Sequence, residues 1–520
     1  MIKNIKWLAL VSLTFVACNN SDDVVVDANS SDGLPLTSGS ADFSKYVSLG
    51  NSLTAGYCDS ALFIEGQKGS YPAILAQQFS LVGGGNFNIP FMNDNVGGLL
   101  LGGFQIQGPR LYFNGSGPVP VTGTPTTEIT NHLTGTYNNL GVPGAKSFHL
   151  LAAGYGNAAG VATGQANPYY VRFASSATSK VIDDATAQSP TFFSLWIGNN
   201  DVLSYATSGG TGVNQTGNLN PATYGANDIT DPTVFASVYN TLVTNLTANG
   251  AKGVVANLPY VTSVPFFTTV PTNPIPGLPT ASAAQLNQLF GGINAALTAS
   301  GLPTRFATLV ADDGNSATVE SNPLLIKDES LINISAQITA ALTPTLGAAT
   351  ATYLGSIYGQ ARHASNVAAS RDYILLTARG IIGTTQSGAP APFNTIGVSY
   401  PMQDNTTLTA SETAEVKTAT DAYNTTIQSL ATSKGLAFVN ANSLLNQVAN
   451  GGISANGFNV TSAYVTGGGF SLDGVHPSPR GYALIANKFI EAINSTYGSN
   501  LKGVDLGKYR ILFPADPANF

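Results

Sequence analysis

Apolar positions along the chain alternate between two patterns: short continuous runs that end at a glycine, and longer stretches with apolar residues three or four apart. The runs Tyr46 to Gly50, Tyr137 to Gly141 and Phe192 to Ile197 predict buried strands, each opening into a glycine-bearing turn. Asp231 followed by Pro232 predicts a helix start, with Phe235, Val238, Leu242 and Leu246 as its stripe and Gly250 as its stop. Gly253 to Asn257 then predicts the next strand. Thr409 and Glu412 form a capping box ahead of a second stripe, Val416, Ala419, Tyr423, Ile427 and Leu430. Gly435 ends that helix, and a strand from Leu436 to Val439 follows. Strand and helix units in this order predict an α/β chain with a parallel sheet, whose strand-end turns are where ligands bind.

Three long stretches interrupt the pattern, at about 81–135, 206–230 and 260–400. The last opens with five prolines between Pro265 and Pro279 and carries a helical stripe of Leu286, Leu289, Ile293 and Leu297, which predicts a lid or small cap subdomain. Composition sharpens this picture. Charged residues make up 9% of the 520 positions against about 25% in an ordinary domain, and 56 Gly with 28 Pro imply many loops. An apolar fraction of 43% with 24 Phe and 21 Tyr supplies a large core and excludes general disorder. With 21 basic and 28 acidic residues the net charge is −7, so no nucleic-acid partner is expected.

Lys3 and Lys6 precede an apolar run from Trp7 to Val16, too short to span a bilayer and shaped like a secretion signal. It closes on Phe15-Val16-Ala17-Cys18, which resembles the lipobox of bacterial lipoproteins. That resemblance implies a signal peptide over 1–17, lipid on Cys18, a flexible tether over 18–41 and a lipid-anchored place at the outer membrane of a bacterial envelope. The Asp-containing segment just after Cys18 resembles surface-export signals of some Gram-negative lipoproteins. With Cys18 acylated, Cys58 is the one remaining thiol, so no intramolecular disulfide is expected.

Four blocks carry chemistry. The first strand runs into Gly50-Asn51-Ser52-Leu53; Asn139-Leu140-Gly141-Val142-Pro143-Gly144 follows the second; Gly198-Asn199-Asn200-Asp201 follows the third; and Asp473-Gly474-Val475-His476-Pro477 lies near the C-terminus. A serine at a strand-to-helix turn needs a base to become nucleophilic, and an imidazole held by a carboxylate three residues away is suited to that task. In kind and order the blocks resemble those of the GDSL, or SGNH, hydrolase family, with Asn51 where that family usually has Asp.

The resemblance implies a three-layer α/β/α, flavodoxin-like domain over 42–500 with the long insertions, then a C-terminal extension over 501–520. It further implies catalysis by Ser52, His476 and Asp473, with an oxyanion hole made by the N–H groups of Ser52 and Gly144 and the side-chain amide of Asn200. The expected activity is acyl-ester hydrolysis through an acyl-enzyme on Ser52, with no cofactor and no metal. Removal of acetyl groups from a polysaccharide, or a surface lipoprotein that binds glycans or lipids without turnover, are the alternatives. Asn51 braces the nucleophile turn only if its amide oxygen faces the donors. His132, His149 and His363 have no close second ligand in sequence, and Cys58 reads as a small buried filler. The patches Gly97 to Phe104 and Leu258 to Phe267 are expected to furnish an acyl pocket or simply core.

Overall fold

Short, mostly apolar segments favour strands buried on both faces, and five short strands, nearly every residue of them buried, meet in one sheet. In the computed structural model, which describes residues 27–315 and 317–520, these are β1 (Tyr46–Gly50), β2 (Asn139–Gly141), β3 (Phe192–Trp196), β4 (Lys252–Ala256) and β5 (Ala437–Val439). Their order across the sheet is β2-β1-β3-β4-β5, and every neighbouring pair is parallel. Ser48 sits between Asn139 and Ser194 in register, so the strands that lead into the first three blocks lie side by side. β2 is shorter than the expected strand 137–141: the Tyr137 carbonyl accepts from Gln188 Nε2 at 2.8 Å and the Asn138 N–H goes to the Asn88 carbonyl at 2.9 Å, while the Asn138 carbonyl still accepts the Ser48 N–H of β1 at 2.9 Å.

Helices that position the site are α1 (Ser52–Ala55), α2 (Tyr71–Ser80), α3 (Asn200–Thr207), α4 (Pro232–Thr247), α5 (Pro265–Thr268), α6 (Thr280–Ala299), α7 (Ala410–Lys434), α8 (Ala441–Ala449) and α9 (Pro479–Tyr497). Asp231 caps α4 by accepting from the N–H groups of Thr233 and Val234 at 2.7 and 2.9 Å. The buried stripe of α4 is Phe235, Tyr239, Leu242 and Leu246; Val238, expected on it, is half-exposed, because the helical period carries the face to Tyr239. The capping box of α7 forms as expected, with the Thr409 N–H donating to Glu412 Oε2 at 2.7 Å, and Gly435 ends the helix in a left-handed turn. In the core of this body Phe43 stacks on Phe79, and Phe192 and Tyr46 meet that pair edge to face, each such buried side chain contributing about 1.5–3 kcal/mol.

The 260–400 stretch has apolar clusters of its own. Phe290, Ile293 and Leu297 of α6 pack with Phe306, Ile338, Leu354 and Tyr358, beside a short antiparallel pair of 325–327 with 361–363. Arg362 clasps Asp372 through two nitrogens at 2.6 and 2.7 Å, and Asp372 accepts the Ala410 N–H at the start of α7, joining this part to the body.

Residues 1–26, with the signal segment and Cys18, lie outside the described residues. Residues 27–41 depart from the expected flexible tether: Ser30 bridges Leu501, and the Thr37 N–H donates to Asn500 Oδ1 at 2.8 Å, because Asn500 offers both an acceptor and donors to this strand-poor segment. The 501–520 segment likewise packs on the body, with Leu506 and Phe513 buried. No helix among the described residues is long and apolar enough to cross a membrane.

Candidate active site

β1 ends at Gly50, and the chain turns through Asn51 so that Ser52 becomes the first residue of α1. The turn closes tightly because two glycines leave room for it: a Cβ on Gly50 would lie 2.4 Å from the Trp196 carbonyl, and one on Gly141 would lie 2.3 Å from the Ala55 nitrogen. Asn51 braces the turn with both ends of its amide. Its Oδ1 accepts the Leu53 N–H at 3.0 Å, and its Nδ2 donates to Asn199 Oδ1 at 3.2 Å. An aspartate at 51 would keep the first bond and require Asn199 to turn its own amide round for the second.

Ser52 Oγ lies 2.8 Å from His476 Nε2, and His476 Nδ1 lies 3.0 Å from Asp473 Oδ2. Asp473 is saturated with donors. Its Oδ1 accepts the N–H groups of Val475 and His476, each at 2.8 Å, and its Oδ2 also accepts the Ser60 N–H at 3.0 Å. Burial alone would push this carboxyl up, but the His476 imidazole and the surrounding N–H groups outweigh it and hold the group at about 2. Asp473 therefore stays charged at any pH where the imidazole can act as a base, fixing its tautomer and orientation.

The N–H groups of Ser52 and Gly144 donate to no protein acceptor among the described residues. Gly144 has φ of +81°, a conformation that side-chain-bearing residues avoid, and its loop is held by Asn200, whose Nδ2 donates to the Ala145 carbonyl at 2.9 Å. One N–H of the Asn200 amide remains over, and Asn200 faces the same cavity as Ser52 and His476. The structure thus joins Ser52, His476 and Asp473 in one hydrogen-bonded line and brings Asn200 to the same cavity, with Gly144 on the loop that Asn200 fastens.

No family model, no curated protein and no solved structure matches the chain. The site's chemistry is accordingly argued from its geometry.

Several positioning residues escaped sequence reasoning. Asp201, fully buried, accepts the Ser147 hydroxyl at 2.6 Å and the Ser147 N–H at 2.8 Å, tying the loop after Gly144 to α3. Burial pushes its carboxyl up, while Ser147 and Lys146 oppose that rise. The sequence did not mark Asp201 as buried, because an acid in the first turn of a helix is equally at home in solvent. Asp59 and Ser60 had no signal. Both adopt positive φ, +52° and +65°, in a turn closed by Cys58 and Ala61, and this turn aims the Ser60 N–H at Asp473. Asp59 itself accepts the Leu472 N–H at 2.9 Å, and burial, with the Asp473 charge beside it, pushes it up to about 7.

A largely apolar cavity opens at Ser52 and His476. Pro259, Val261 and Val264 line part of it, in keeping with the expectation for 258–267. The 97–104 patch does not line it; residues 99–101 and 104–107 instead form a hairpin with Phe104 79% exposed, since the turn glycines Gly102 and Gly103 carry the chain outward. Much of the remaining wall comes from α8 and α9, which the sequence had not nominated, with Trp196, Leu203, Val460 and Phe470 beside them.

The other histidines are separate from this site. His132 Nε2 lies 2.8 Å from the Ala174 carbonyl, His149 Nδ1 accepts the Lys146 N–H at 3.0 Å, and His363 Nδ1 accepts the Ala307 N–H at 2.8 Å. Burial lowers His149 and His363 to about 4, so both are neutral at ordinary pH. Cys58 is buried in the core. Two carboxylate groups, Asp312-Asp313-Glu320 and Glu329-Asp404-Glu412, are spaced closely enough to hold a cation, and neither shares a residue with the Ser52 cavity.

Proposed function

We propose that this chain is a serine ester hydrolase of the SGNH type, built on a three-layer, flavodoxin-like α/β/α body and carried at the bacterial outer membrane by lipid on Cys18. The observation that carries the reading is the continuous line from Ser52 Oγ through His476 to Asp473, at 2.8 and 3.0 Å. The strand order 2-1-3-4-5, with Ser52 and Asn200 just beyond the C-terminal ends of the adjacent strands β1 and β3, supports the fold assignment, because that crevice is where such sheets bind ligands.

In this reading Ser52 Oγ attacks the ester carbonyl while its proton passes to His476 Nε2, and the carbonyl π electrons move onto oxygen. The N–H groups of Ser52 and Gly144 and the free amide N–H of Asn200 receive the resulting oxyanion. Collapse expels the alcohol, which leaves with the proton from His476. Water then attacks the acyl-enzyme, again giving its proton to His476, and the acid departs as Ser52 regains its hydrogen. The steps use no cofactor.

A fluorophosphonate probe tests the assignment. Labelling is expected on Ser52 and absent in Ser52→Ala. Failure of the folded wild-type protein to label would overturn the reading in favour of a binding protein.

A further inference from the structure

Three acidic side chains from separate segments meet where the insertion joins the body. Glu329 follows the 325–327 strand, Asp404 opens a short helical turn over 404–406, and Glu412 lies in the first turn of α7. One carboxylate oxygen of each lies within 4.8 Å of the other two. Glu412 is only 6% exposed, and its own capping box occupies one of its oxygens. Oε2 accepts the Thr409 N–H and hydroxyl at 2.7 and 2.9 Å. Oε1 is buried with no hydrogen-bond partner, and so is Oδ1 of Asp404. Gly209 and Gly210, at φ of +69° and +75°, bring the backbone after α3 up to these acids; a Cβ on Gly210 would strike Glu412 Oε1, and one on Gly209 the Asp404 carbonyl. No basic side chain among the described residues forms an ion pair with any of the three. Arg362 is committed to Asp328 and Asp372, and the nearby Tyr205 hydroxyl donates to a fourth acid, Glu415, at 2.7 Å. Buried carboxylate oxygens without donors are costly unless a proton or a metal ion answers them.

We propose that Glu329, Asp404 and Glu412 bind a calcium ion that fastens the insertion and the end of α3 to the start of α7. The donors are all carboxylate oxygens, which suit calcium or magnesium and not the softer zinc or copper. Calcium holds oxygens at about 2.4 Å in adaptable geometry, so ligand atoms as far apart as 4.8 Å can stand on opposite sides of one ion. Magnesium needs its ligands closer, at about 2.0–2.1 Å, and in stricter geometry. Glu329 is exposed, which leaves a way in and room for water on the remaining positions. The second acidic group is a contrast within the same insertion. In Asp312-Asp313-Glu320 each carboxylate already accepts from its own loop, from the Gly314 N–H, the Asn315 N–H and the Thr318 hydroxyl. The ion stands at the opposite end of α3 from Asn200, so its place is structural and it touches no reacting group.

The test uses the full chain stripped with EDTA, with calcium chloride as the probe, read by isothermal titration calorimetry and by thermal unfolding. Wild type is expected to bind the ion and to gain about 3 °C or more in Tm at a hundredfold excess over Kd, with a smaller gain in magnesium chloride. Glu412→Gln keeps an oxygen for the Thr409 bonds, and Asp404→Asn keeps the shape of its turn. Each is expected to lose the binding heat and the calcium-dependent gain, and to melt no lower than EDTA-treated wild type because one like charge is gone. Asp313→Asn is expected to keep both. Absence of binding heat and of any calcium-dependent gain in wild type would overturn the proposal and leave the acids sharing a proton. Binding that survives in both Glu412→Gln and Asp404→Asn would overturn it equally, by placing the ion elsewhere. Neither readout involves Ser52, so the outcome is independent of the esterase reading.

Discussion

In the sheet body, Phe43 stacks on Phe79 at 4.0 Å beneath a rim where β1, β2 and β3 each end in a hydrogen-bonded turn; in the 260–400 insertion, Phe290 stacks on Phe306 at 4.9 Å, but no strand end feeds a cavity with catalytic groups. The two regions bury aromatic residues by the same means and differ in what their loops must do. Body turns bring hydrogen-bonding groups together around Ser52, so their residues are restricted in type: glycine where backbones touch, asparagine where both ends of an amide bond, serine and histidine where the proposed reaction would move a proton. The insertion supplies shape, through Val261 and Val264 on the cavity and Phe266 and Leu376 on a neighbouring groove that His476 also lines. The one backbone bond from α5 to the catalytic loop, Phe266 N–H to the Gly474 carbonyl at 2.9 Å, links the two.

If chemistry resides in the body alone, the largest effect should come from Asp473→Asn. It keeps the shape of the 473–476 turn but disturbs the imidazole's tautomer, and kcat should drop about ten-thousandfold by steady-state assay. Asp473, held at about 2, is already charged near neutral pH and should add no inflection of its own to the wild-type kcat/KM profile between about pH 4 and 8; an inflection lost in Asp473→Asn would contradict this. In the insertion, Phe290→Ala should cost about 3–5 kcal/mol of local stability, seen by denaturant titration and proteolysis of 270–400. Ser52 labelling should persist under conditions where the variant is folded; its loss there would dissolve the contrast between the two regions. Asn200→Ala should lower kcat about 100- to 1000-fold with little change in KM, because one oxyanion donor is removed. Asn51→Asp should have the smallest effect, less than about tenfold in kcat/KM, because Asn199 can rotate its amide to donate to the new carboxylate.

Legibility in the sequence follows the same division. β1 and β3 were readable as mostly apolar runs that meet a glycine turn, and β4 and β5 as short apolar runs that follow a capped helix, whereas β2, Asn-Leu-Gly, was marked only by the glycine turn it enters. Ser52, His476 and Asp473 were readable because their blocks stand in a recognisable order. Asp59 and Ser60 were not readable: their contribution is a backbone N–H aimed by two left-handed residues, and neither residue type announces that conformation. The wall of the cavity beside Ser52 was misjudged for a related reason. A run such as 97–104 and a helix such as α8 both carry apolar residues in sequence, and only their tertiary placement determines that Leu445 and Val448 line Ser52's cavity while Phe104 faces solvent.

Trapping of the covalent intermediate tests the central claim most directly. Protein mixed with p-nitrophenyl octanoate and quenched in acid should carry an octanoyl group on the peptide containing Ser52, preceded by a burst of p-nitrophenol equal to the enzyme present. Steady hydrolysis without that adduct, undiminished in Ser52→Ala, would contradict it.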